Sequence, residues 1–163
     1  MGTDGILDEG IWDRVVGVIK AAHGLDRASF VTQAQAFAEE VALPGHQQAG
    51  LYLGYLLRNA LGGKVGGRVP TDAELHRIAR DYVARFFVLV DADEPILEDT
   101  FRKAFERAPL KREISPGEFL VLAHAALGVL YQDPDRELSR MKPHLTRWWQ
   151  RHVEKFHSQG LLR

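Results

Sequence analysis

Apolar residues recur at helical spacing along most of this chain, and one stretch departs from that amphipathic rule. Residues 119–131 read FLVLAHAALGVLY, thirteen positions with no charge and a single polar side chain, His124. A bilayer span needs roughly 20 apolar residues, so the stretch is too short to cross a membrane. A helix that is apolar on every side is buried by other protein. The pattern therefore predicts an all-α domain, residues 1–163, as one compact bundle of about seven helices around this central helix.

The flanking segments carry the ordinary one-sided pattern. Trp12, Val15, Val16 and Ile19 stripe a first helix from Asp8 to His23, with Asp8 as N-cap and Gly24 as its stop. Phe30, Val31, Ala34, Phe37, Ala38 and Val41 mark a second, from Asp26 to Ala42. A third, His46 to Leu61, holds five leucines together with Gly50 and Gly54, four residues apart on one face. Glycine inside a helix costs about 1 kcal/mol relative to alanine. A close helix crossing at Gly54, facing Ala125, Ala126 and Gly128, is the expected compensation.

Gly62 to Arg68 holds four glycines and is expected to be a flexible connector. Thr71 and Glu74 have capping-box spacing and begin a fourth helix reaching about Asp91. Its end, FFVLV, has strand-like composition but no nearby pairing partner. Asp93-Glu94-Pro95 opens a fifth helix. Ser115-Pro116-Gly117-Glu118 is a second capping box, with proline at the first helical position, ahead of the apolar helix. Asp133-Pro134 starts a last helix to about Ser158, which Pro143 should kink or divide.

Composition narrows the function classes. Cysteine is absent, which excludes disulfides, thiolate metal sites and cysteine nucleophiles. The acidic N-terminus lacks the basic and apolar regions of a secretory signal, and Met1-Gly2 lacks the hydroxyl residue a myristoylation site wants at position 6. A cytoplasmic location is the default expectation. Net charge is −1, which gives no overall attraction to nucleic acid or anionic lipid. The charge is unevenly spread: nine Lys/Arg face fifteen Asp/Glu up to Asp99, and twelve face seven from Thr100 onward. Attraction between two halves of one fold explains this, as does a basic half facing an acidic partner.

Few constellations carry chemistry. Glu154-x-x-His157 has di-iron spacing, but the chain has no second such pair. Asp91, Asp93, Glu94, Glu98 and Asp99 do not follow the calcium-loop order. The glycine-rich loop lacks Gly-Lys-Ser/Thr, and no Gly-x-Ser-x-Gly occurs. No metal, cofactor or catalytic residue is therefore expected.

His124 is forced inward and should bond a carbonyl or one of Tyr52, Tyr55 and Tyr82. Those four residues form the candidate ligand-binding set. Trp148 and Trp149 cannot share one narrow helix face, so the more exposed of them is a candidate contact anchor. The expected function is a non-enzymatic interaction or regulatory protein, self-associating as a homodimer through the last helix. The alternative is a domain that binds a small apolar ligand in a pocket near His124. A protein partner fits the first; nucleic acid and membrane are not expected.

Overall fold

A computed structural model describes residues 6–107, 110 and 112–162. Met1-Gly2 lies outside the described residues. Among those described there are seven helices and no strand: α1 (Glu9–His23), α2 (Arg27–Glu40), α3 (Leu43–Gly63), α4 (Asp72–Leu89), α5 (Glu94–Ala104), α6 (Pro116–Leu130) and α7 (Pro134–Ser158). The FFVLV segment is helical to Leu89. No described helix is long and apolar enough to cross a membrane.

The apolar helix is the hub. Residues 122–130 of α6 are all buried, and α6 packs against α1, α3, α4 and α5. Both capping boxes form: Thr71 with Glu74 at α4, and Ser115 with Glu118 at α6. α7 lays Leu138, Leu145, Trp149, Val153 and Phe156 inward against α1 and α3. Pro143 lies inside α7 without dividing it. α2 commits least, burying only Phe30 and Phe37.

The tight crossing falls elsewhere than Gly54. A Cβ on Gly54 would meet only Arg58 Nη1, at 3.3 Å, from its own helix. A Cβ on Gly128 would lie 2.3 Å from Ala22 Cβ and 2.9 Å from two backbone atoms of α1. Gly128 of α6 thus serves the α1–α6 contact, where the His23 Nδ1–H donates to the Gly128 carbonyl at 3.1 Å.

The stop after α1 also differs from expectation. Gly24 is right-handed, and Leu25 takes the left-handed conformation after α1 (φ 56°). Residues 62–68 form a bonded turn: the Val65 and Gly67 N–H groups both donate to the Gly62 carbonyl, and Arg68 forks onto Glu74. Gly66 and Gly67 supply the positive φ this turn requires.

The charge asymmetry is partly consumed inside the fold. Glu9 pairs with Lys142, and Asp72 pairs with both Arg102 and Arg107. Lys20–Asp135 joins the halves with the opposite sign.

Candidate functional site

The sequence-predicted residues occupy separate places. His124 is buried on α6, and its Nδ1–H donates to the Leu120 carbonyl one turn back at 2.7 Å. Because a carbonyl only accepts, Nδ1 carries the proton and Nε2 is an acceptor. That Nε2 has no hydrogen-bond partner among the described residues. Burial pushes the His124 pKa down to about 4, against a small opposing contribution from the Leu120 bond.

Tyr52 is buried beside α1, where its hydroxyl accepts from the Asp8 N–H and from Gln48. Its ring meets Trp149 edge-on. Tyr55 packs on Trp148 at 4.7 Å between ring centroids. Tyr82 lies under Lys64 and Arg85. The three tyrosines therefore have partners other than His124. Trp149 is 1% exposed and belongs to the core. Trp148 is half-buried among Tyr55, His152, Phe156 and the Arg58 guanidinium.

What surrounds His124 instead is an imidazole–phenyl–imidazole group. Phe37 of α2 meets His124 edge-on at 5.5 Å and stacks on His46 of α3 at 5.6 Å. His46 Nε2 and the neighbouring Gln47 Oε1 are also buried without a hydrogen-bond partner among the described residues. Buried polar atoms are normally satisfied, so three such atoms within neighbouring residues of α3 and α6 mark this junction as unusual.

His46 and Gln47 also wall an open groove of about 510 Å³ between α3 and α6. Leu43, Leu51, Phe119, Leu120 and Leu161 supply its apolar lining, Gly50 bares its backbone there, and Lys103 stands at its edge. Leu43 and Leu161 on its rim are 55% and 44% exposed. A smaller arm of about 140 Å³ shares Gly50, Leu51, Lys103 and Phe119 with it and continues along Gly54, Arg58 and Trp148. The two glycines of α3 thus face a trench, and their missing side chains leave it open.

A second cleft, of about 340 Å³, lies between Asp8, Glu9, Gln48 and His157. Asp8 there already serves as the N-cap of α1. Volumes of 300–1,000 Å³ with mainly apolar walls and a few polar groups typify small-molecule sites. The α3/α6 groove meets that description on both counts.

The acidic run at 91–99 is used locally. Asp91 pairs with Arg27, Asp93 caps α5, and His76 meets Glu98 at 2.6 Å and Glu94 at 3.5 Å. Asp99 turns inward and accepts from the Arg112 N–H. No group of three metal-ligating side chains occurs among the described residues.

Sequence reasoning passed over His46, Gln47, Lys103 and Arg58. The available signal was the Gly50/Gly54 pair, which marked the correct helix face. No protein-family model matches the chain, and neither a curated protein nor a solved structure is similar to it.

Proposed function

We propose that this protein is a helical binding domain that takes a small apolar molecule in the groove between α3 and α6. One observation carries the reading: an apolar groove of about 510 Å³ is floored by the bare backbone of Gly50 and walled by His46 and Gln47, whose buried Nε2 and Oε1 atoms lack hydrogen-bond partners among the described residues. The apolar lining supplies affinity by removing ligand surface from water. His124 acts behind that wall, holding the Leu120 backbone and the Phe37 ring.

A second reading is a self-associating interaction domain, favoured by the exposed Leu43 and Leu161 on the same rim. In that case a second copy covers the groove.

The test uses N-phenyl-1-naphthylamine, a neutral apolar dye that brightens on leaving water. Wild-type protein is expected to bind it saturably, and Gly50→Leu, which fills the groove, is expected to abolish binding. The position has room, since a Cβ at Gly50 meets nothing closer than Leu120 Cδ2 at 3.9 Å. No saturable brightening, or unchanged binding by a folded Gly50→Leu variant, would overturn the reading. Light scattering at twice 18.3 kDa, with Gly50→Leu restoring the monomer, would favour the second.

A further inference from the structure

We infer that the ligand of this groove is an amphipathic anion, with its apolar part on Leu51, Phe119 and Leu120 and its carboxylate or phosphate between Lys103 and Arg58. The inference rests on the ligand-binding reading above and adds the ligand's chemical class.

Both cations belong to the trench. Lys103 edges the groove and its smaller arm, and Arg58 lines that arm. The Arg58 guanidinium reaches α5 next to Lys103 in the chain, donating to the carbonyl of Ala104 at 2.9 Å. Neither forms an ion pair with a carboxylate among the described residues. Each instead spends a hydrogen bond on a backbone carbonyl: Lys103 Nζ on Ile114 at 2.7 Å, and Arg58 on Ala104. An ammonium has three donors and a guanidinium five, so each retains donors for a bound anion.

Several other cations here behave differently. Arg14, Lys20, Arg27, Arg68, Arg112 and Lys142 each meet a carboxylate. Acidic groups also act on both cations. Glu106 lines the smaller arm and acts on Arg58 only at longer range. Glu118 feels the Lys103 charge but is engaged by the Ser115 N–H and by Arg112. Burial is the dominant influence on Arg58 and pulls its pKa down, as expected for a partly desolvated cation lacking a contact carboxylate. An anion placed there removes that penalty, while the glycines leave space beside it.

The experiment compares decanoate with decan-1-ol, its uncharged counterpart, as displacers of N-phenyl-1-naphthylamine. A charge-assisted hydrogen bond favours decanoate by about tenfold or more. Lys103→Met keeps the aliphatic stem and is expected to bring the decanoate-to-decanol affinity ratio down toward one. Equal displacement by the two compounds on wild-type protein overturns the anion inference and leaves the apolar site standing. Absence of dye binding defeats the underlying reading instead. If Lys103→Met disturbs the segment before α6, shown by lost dye binding, the wild-type comparison still decides. A Lys103→Met variant that keeps the full preference, or weakens both compounds alike, also counts against the inference.

Discussion

Gly128→Ala adds one methyl group to a helix and should nevertheless destabilise the fold. Its Cβ would lie 2.3 Å from Ala22 Cβ, 2.9 Å from the Ala22 carbonyl carbon and 2.9 Å from His23 N. Ordinary carbon contacts sit at about 3.5–4.0 Å, so α1 and α6 must part by roughly 1.5 Å at this level. Two of the three clashing atoms are backbone and cannot rotate aside. Overpacking of this kind typically costs about 1–3 kcal/mol. Rigid backbone contacts put the expected value at or above the upper end, about 3 kcal/mol. Alanine's better helix propensity returns about 1 kcal/mol. The expected net loss is therefore about 2 kcal/mol, read as a lower urea midpoint at an unchanged slope. Ala22→Gly in the same chain removes only the 2.3 Å contact, so it should recover part of the loss. Gly50→Ala is the control: its nearest neighbour is at an ordinary distance, and it should gain up to about 1 kcal/mol. A Gly128→Ala midpoint equal to or above wild type would refute the close-approach account.

Two further outcomes follow from the same packing. The pKa of His124 falls from 6.5 in the unfolded chain to about 4 in the fold, so the unfolded state binds the proton first as pH drops. Stability is then fully present above about pH 6.5 and declines toward pH 4, by about 3 kcal/mol. Urea midpoints across that window should show the decline and His124→Leu should flatten it; an equal slope in the variant would remove His124 as the cause. Because α2 buries only Phe30 and Phe37, its amides should exchange with deuterium before those of α6, and equal protection of the two helices would contradict this.

The helices were legible because a 3.6-residue period and capping chemistry are local. Thr71/Glu74 and Ser115/Glu118 mark their helix starts in the sequence and in the fold. The missing charges point to burial of the whole run 119–131, which holds for Phe119 and residues 122–131 but not for Val121, 38% exposed. Which helix faces which was not legible. Periodicity says that Gly50 and Gly54 share a face, but not whether another helix or a groove lies opposite. Lys103 and Arg58 come from helices far apart in sequence, and only the fold sets them on one trench. The three tyrosines were reasonable partners for a buried imidazole, yet a helix carbonyl one turn away needed no tertiary contact and took the bond. Pro143 suggested a kink or a break; α7 is not broken there, because one lost N–H did not outweigh the apolar contacts of Leu138, Leu145 and Trp149 on either side. Gly24 stays right-handed, so the left-handed residue after α1 falls one position later, at Leu25.

The contact between α1 and α6 also sets an order on the birth of the molecule. His23 and Gly128 touch across 105 residues of chain. During synthesis at about 5–20 residues per second, α1 therefore waits roughly 5–20 s for the helix it packs against. Throughout that interval Trp12, Val15, Val18 and Ile19, all buried in the finished fold, have no α6 to cover them. The α1–α6 contact therefore closes only after residues 116–130 have emerged, and until then the apolar face of α1 lacks its largest partner in the finished fold.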